Sequence, residues 1–224
     1  METTLIRFAG QLFEPLISGA LFWRAEKALL VADLHFEKMS SFARRGQLLP
    51  PYDTGATLRR IEHDLDFTGA ETVVSLGDSF HRDEGSMTLQ DVDRLHLDAL
   101  TDRARWVWIA GNHDPAPHAI GGECVAELTL GGITLTHQPR RGAMNLIAGH
   151  LHPSAHLVFD GRSVRRPCFV HDTQQMILPA YGVSTGTLNI LSSAFANLLM
   201  LSRLDVVMLG RDRLYPVSAR RLIA

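Results

Sequence analysis

Apolar residues fall along the chain in short runs, and five of those runs stop at a compact polar cluster. Residues 28–32 lead into Asp33-Leu34-His35, residues 72–76 into Gly77-Asp78, and residues 106–110 into Gly111-Asn112-His113-Asp114. Residues 133–135 lead into Thr136-His137-Gln138, and residues 146–148 into Gly149-His150-Leu151-His152. Short β-branched runs closed by Gly, Asp, Asn or His predict buried strands. Their carboxyl ends, gathered on one sheet edge, place polar side chains in a shared crevice.

The intervening segments carry other periods. Residues 3–23 alternate apolar runs with Gly10, Pro15 and Gly19, which predicts short antiparallel strands. A helix is expected through residues 36–45, then a break at Pro50-Pro51. Asp53 or Thr54 next caps a helix to about Leu65, with Leu58, Ile61 and Leu65 at helical spacing. Residues 88–100 read as a third helix with Leu89, Val92, Leu95, His96 and Ala99 on one face. From Glu123 to about Pro179, short strands alternate with Gly-containing turns. Residues 188–201 are the most apolar late segment, broken by Asn189, Ser192, Ser193 and Asn197; a buried or amphipathic helix is expected, too polar to span a membrane. Helix–strand alternation followed by a strand meander predicts two packed sheets with helices outside.

Composition narrows the class. The chain has 224 residues, 46% of them hydrophobic, enough for one domain over residues 1–224. A cut between Asp33 and His152 would split the polar clusters. The net charge of −2 excludes a strongly basic footprint for the chain as a whole. Its cations are nearly all arginine, and Arg44-Arg45 and Arg140-Arg141 are the candidates for phosphate contacts. Cys124 and Cys168 form no metal-spacing or disulfide pattern and, with no signal peptide apparent, point to a reducing cytoplasm.

Asp, Asn and His supply mixed oxygen and nitrogen donors without thiolate. That suits manganese, iron or zinc more than copper(I) or calcium. In Asp33-x-His35 an extended backbone would turn both side chains to one side. Asp78, from a neighbouring strand, can lie between two ions; Asn112, His137, His150 and His152 add further donors. Two divalent cations against two aspartates leave a positive field suited to a phosphate ester. Such a pair generates hydroxide at neutral pH and clamps the phosphoryl oxygens. His113 is left over, free to stabilise the transition state or protonate a leaving alkoxide. His63, His96, His118, His156 and His171 read as surface or core residues.

The order of motifs, D-x-H, GD, GNH-D, H and G-H-x-H, resembles the calcineurin-like metallophosphoesterase family. The resemblance implies an α/β (α+β) four-layer sandwich, two mixed β-sheets flanked by helices. It implies one metal held by Asp33, His35, Asp78 and His152, and another by Asp78, Asn112, His137 and His150. It makes His113 catalytic, assisting attack by a metal-bridging hydroxide. Many members continue the second motif as GD-x-x-D-R, whose later Asp supports the catalytic histidine. Here Gly77-Asp78-Ser79-Phe80-His81-Arg82 has His81 in that place, which resembles the GD-x-F-H form of repair nucleases. His81 thereby joins the catalytic candidates, and Asp83 or Asp114 is expected to support His113 instead. Residues 32–38 and Leu178-Pro179-Ala180-Tyr181-Gly182 with Thr185-Gly186 look like ligase-associated DNA damage response endonucleases of bacteria. That likeness implies a DNA substrate, manganese ahead of zinc, iron or magnesium, and functional association with a DNA ligase and helicase. The alternatives are a small-molecule nucleotide or pyrophosphate phosphoesterase, and a non-catalytic binding module of the same fold.

Overall fold

The computed structural model describes residues 4–43, 46 and 50–224. The first of two sheets has seven strands in chain order: β1 (Ile6–Phe8), β2 (Gln11–Pro15), β3 (Leu21–Trp23), β4 (Ala28–Val31), β5 (Thr72–Ser75), β6 (Arg105–Ile109) and β7 (Glu123–Val125). Strands β1 to β4 pair antiparallel through tight turns, and β4 to β7 pair parallel. Helix α1 (Lys38–Ala43) and helix α2 (Asp53–Thr68) lie between β4 and β5, and α3 (Asp91–Arg103) between β5 and β6.

The second sheet contains β8 (Leu128–Leu130), β9 (Ile133–Thr136), β10 (Leu146–Ala148), β11 (Pro153–Phe159), β12 (Arg162–His171), β13 (Gln175–Ile177), β14 (Leu188–Asn189), β15 (Asp205–Leu209) and β16 (Leu214–Ser218). Its order is β14-β11-β12-β13-β10-β9-β8, with β15 also paired to β12 and β16 to β15. The three inner strands β9, β10 and β13 run parallel.

Side-chain alternation sorts the core into layers. Ala28 and Leu30 of β4, Val74 of β5 and Val107 and Ile109 of β6 face the second sheet, where they meet Leu135, Ile147, Phe169 and Met176. Leu29, Val31, Val73, Trp106 and Trp108 point the other way, onto Leu58, Ile61 and Leu65 of α2 and Leu97 and Leu100 of α3. Both faces of β4, β5 and β6 are thus dry, and these strands read as near-continuous apolar runs.

Several local expectations shift. Asp53 and Thr54 do not cap α2, whose N-cap position is Tyr52. Asp53 Oδ2 instead accepts the Met39 N–H (3.0 Å) and Thr54 Oγ1 the Glu37 N–H (2.9 Å), so α2 serves the amino end of the preceding helix. Helix α3 starts at Asp91 and buries Asp93, Leu97 and Leu100, while Val92 and Leu95 face solvent. Gly55 on α2 admits the Asp93 carboxylate, which a Cβ there would meet at 2.8 Å, and this contact sets the rotation.

The helix expected over residues 188–201 does not form. Leu188 and Ile190 donate their N–H groups to His152 and Ser154 of the second sheet, and two 3₁₀ turns follow, Ser193–Phe195 and Leu201–Arg203. Polar side chains take up the backbone groups: Asn189 Oδ1 accepts the Leu191 N–H, Gln175 Nε2 donates to the Leu198 carbonyl, and Asp172 Oδ2 accepts the Met200 N–H. Ile190, Phe195, Leu199 and Leu204 still cover the outer face of the second sheet, so this layer is irregular.

Candidate metal centre

All five polar clusters meet at the carboxyl ends of β4, β5, β6, β9 and β10. Two groups of ligating atoms form there, Asp33 with His35 and His152, and Asp78 with His137 and His150. In the first, His152 Nε2 lies 3.2 Å from Asp33 Oδ1 and 3.4 Å from His35 Nε2. In the second, His137 Nε2 lies 3.3 Å from Asp78 Oδ1, 3.1 Å from His150 Nδ1 and 2.9 Å from Asn112 Oδ1. Asp78 faces both groups, because its other oxygen, Oδ2, is 3.8 Å from His35 Nε2.

Main-chain carbonyls fix the ring tautomers. A carbonyl can only accept, so His137 Nδ1–H donates to Leu76 O (2.9 Å) and His152 Nδ1–H to Gly186 O (3.2 Å). Each ring then turns its Nε2 toward carboxylate oxygens and other imidazoles. Such an acceptor-rich cluster suits divalent cations, which would bring the positive charge its oxygens and imidazoles call for. The two His/Asp groups fit a dimetal site.

Burial keeps His35 and His150 in the neutral, ligating form. It lowers the His35 pKa to about 2, with the nearby His152, Lys38 and His113 charges adding to the effect, and it lowers His150 in the same way. Burial would also lower His152, but the hydrogen bond and charge of Asp33 outweigh it and raise that pKa.

The backbone that aims these groups is not extended. Asp33, His35, Asp78, His150 and His152 all have left-handed φ, from 45° to 71°. Asp33 and His35 therefore share a side because both sit in the left-handed region, not because a strand carries them there. Each such residue costs about 1–2 kcal/mol. Close approach also matters: a Cβ on Gly111 would collide with the Asp78 backbone nitrogen, and one on Gly182 with the Leu34 carbonyl. Gly182 N–H donates to Asp33 O (3.2 Å) and Tyr181 N–H to Ala32 O (2.8 Å), so residues 181–182, in the loop that follows β13, brace the first cluster.

His113 stands beside both groups without joining either. Its Nδ1–H donates to the His81 carbonyl (3.1 Å), and its Nε2 lies 3.9 Å from Asp78 Oδ2. The two rings of His81 and His113 stack at 5.3 Å. Neither carboxylate expected to support His113 does so. Asp114 Oδ2 accepts the Phe80 N–H (2.9 Å), with its pKa pushed up to about 7 by burial, and Asp83 Oδ1 accepts the Ala116 N–H (3.2 Å). The His81 main chain takes that role, and a carbonyl leaves no mark in a sequence; the same holds for Leu76 and Gly186. Arg140 is exposed and paired with Glu127 at 2.7 Å, and Arg141 is exposed. Arg44 and Arg45 lie outside the described residues.

The fold and this centre define a metal-dependent phosphoesterase. The chain belongs to the calcineurin-like phosphoesterase family, whose model matches residues 27–178. It is similar to the crystal structure of the nuclease MPE from Pseudomonas putida, with 29% identity and a TM-score of 0.73, covering 96% of this chain and 100% of that one. Two more distant structures are Yfce, a phosphoesterase from E. coli (14% identity, TM-score 0.38, 88% and 96% covered), and the protein AQ665 of Aquifex aeolicus (17% identity, TM-score 0.40, 56% and 78% covered). Comparison with curated protein sequences gives no significant match. Among the described residues, no helix is long and apolar enough to cross a membrane.

Proposed function

We propose that this protein is a dimetal phosphodiesterase that cuts DNA internally, with manganese as the working metal and a role in repair alongside a DNA ligase and a helicase. The observation that carries the reading is the pair of acceptor-rich groups sharing Asp78, with the His113 ring at their side. Divalent ions held there would neutralise the phosphoryl oxygens and acidify a water. Asp33, His35, Asp78 and His152 would hold one ion, and Asp78, Asn112, His137 and His150 the other. His113, oriented by the His81 carbonyl, would offer Nε2 to a phosphoryl or leaving oxygen. His81, stacked on His113, would steady that ring or contact a neighbouring phosphate. Likeness to a nuclease over nearly the whole chain supports a nucleic-acid substrate.

The test is hydrolysis of bis(p-nitrophenyl) phosphate, circular single-stranded DNA, plasmid duplex and mononucleotides by protein reconstituted with manganese, zinc, iron or magnesium. Circular DNA should be opened, and His113→Ala should lower turnover by about 10²–10⁴-fold with two metals still bound. Mononucleotides turned over far faster than DNA would make the substrate a small molecule. Undiminished turnover in His113→Ala would remove its catalytic role.

A further inference from the structure

Charge is segregated along this chain. Residues 153–224 carry eight arginines against four aspartates, while residues 1–152 carry fourteen cations against twenty acids. The excess gathers around a cleft of about 430 Å³ between the β11–β12 and β15–β16 hairpins. That size is within the range of about 300–1,000 Å³ for ligand clefts. Arg166, Arg211, Arg213 and Arg221 line it, with Asp212 as the one lining acid. Among the described residues, none of the four guanidiniums has a carboxylate within ion-pairing distance. Leu157 and Met208 give it an apolar, buried floor.

Two aromatic rings stand in the same cleft. Phe159 is 56% exposed and Tyr215 39%. Arg213 braces Tyr215, with its guanidinium 4.9 Å from the ring centroid and Nε donating to the phenol oxygen at 3.0 Å. A held, exposed ring beside guanidiniums with no carboxylate partner is how single-stranded nucleic acid is gripped, by stacked bases and neutralised phosphates. An acidic peptide would use the charges but would leave the rings without a flat partner.

The cleft also lies on the proper end of the sheet. β13 and β10 run parallel, and their carboxyl ends lead to the metal centre. β12 is antiparallel to β13 and begins beyond that end, as does the turn of the β15–β16 hairpin, through the Cys168–Met208 register. Arg166 pairs with Ala155, three residues after His152, a distance of about 10 Å along a strand.

We propose that this cleft is a second nucleic-acid site, which takes a single-stranded stretch with bases against Tyr215 and Phe159 and phosphates on Arg166, Arg211 and Arg221. It rests on the DNA reading above and adds a surface that holds the strand away from the metals. The test is fluorescence anisotropy of labelled dT12 with the full chain in chelator, where no strand is cut. The triple variant R166Q/R211Q/R221Q should bind at least tenfold more weakly. The slope of log affinity against log salt should flatten by about 2, at about 0.7 per lost phosphate contact. Tyr215→Ala should weaken binding by about five- to hundredfold, the range of one stacked base, yet leave an abasic 12-mer unaffected. Arg103→Gln on α3 should bind as the parent does, and thermal unfolding shows that every variant is folded. Unchanged binding by the triple variant, equal affinity for dT12 and the abasic strand, or no binding at all would overturn the site. Because cleavage plays no part in this measurement, a protein that binds dT12 here but fails to cut DNA refutes only the nuclease reading.

Discussion

Tyr181→Phe removes a single hydroxyl from a ring with no exposed surface. That hydroxyl donates to Asp64 Oδ2 at 2.8 Å, and Ser18 Oγ donates to the same oxygen at 2.5 Å. Burial and the Asp64 charge hold the phenol well above its ordinary pKa, so it remains a donor at every working pH. Asp64 is itself buried, so water cannot replace the lost partner. A hydrogen bond to a charged acceptor contributes about 1.5–3 kcal/mol. We expect a loss of about 2 kcal/mol, and for a chain of this length a fall in Tm of roughly 4–8 °C. The Arg60 guanidinium, 5.4 Å from the ring, keeps its aromatic partner in the variant, which isolates the hydroxyl. Urea unfolding followed by the fluorescence of the buried tryptophans measures the loss. Ser18→Ala combined with Tyr181→Phe strips both hydroxyls from one carboxylate, and the double loss should exceed the sum of the single losses. The Tyr181 and Gly182 backbone bonds to Ala32 and Asp33 survive the substitution, so the number of metals bound should not change. A stability change under about 0.5 kcal/mol for Tyr181→Phe would refute this account of the buried pair.

Three further outcomes follow from other parts of the molecule. Asp78→Asn removes charge from a carboxylate whose two oxygens face the two groups, and should lower bound metal below two per chain by elemental analysis and phosphodiester turnover by about a hundredfold or more; retention of both ions and full turnover would exclude a bridge. Burial lowers the His171 pKa, so below about pH 6.5 the unfolded chain takes up a proton that the folded chain refuses. That contribution to stability is complete above pH 6.5 and declines below it, by at most about 1.4 kcal/mol per pH unit, and urea unfolding from pH 7.5 to 5 should show a shallower decline in His171→Gln. Phe195→Ala empties the cover over the second sheet and should cost about 3 kcal/mol in the same assay, whereas a solvated segment would lose almost nothing.

The convergence of the polar clusters was legible because each closes a short buried strand, and strand ends converge by topology alone. Their aim was not legible. Left-handed φ at Asp33, His35, Asp78, His150 and His152 goes with close backbone approaches, of Gly111 to Asp78 and Gly182 to residues 33–34, that join residues far apart in the chain. The support of His113 left no trace in the sequence because its partner is a carbonyl, which every residue has. In α3 the apolar spacing of Val92 and Leu95 competed with Leu97 and Leu100, and the notch at Gly55 decided between them. Over residues 188–201, hydropathy outweighed Asn189, Ser192, Ser193 and Asn197; sheet pairing and side-chain hydrogen bonds then outcompeted a helix.

The brace formed by residues 181–182 has a consequence for when activity can arise. Its bonds to Ala32 and Asp33 close a loop of about 150 residues, so they wait on the last third of the chain. A nascent chain that has displayed Asp33, Asp78 and even His152 still lacks the backbone bonds that hold residues 32–33. The hydrolytic centre is therefore completed only after most of the polypeptide has left the ribosome, and truncated products of translation carry the motifs without the fully seated centre.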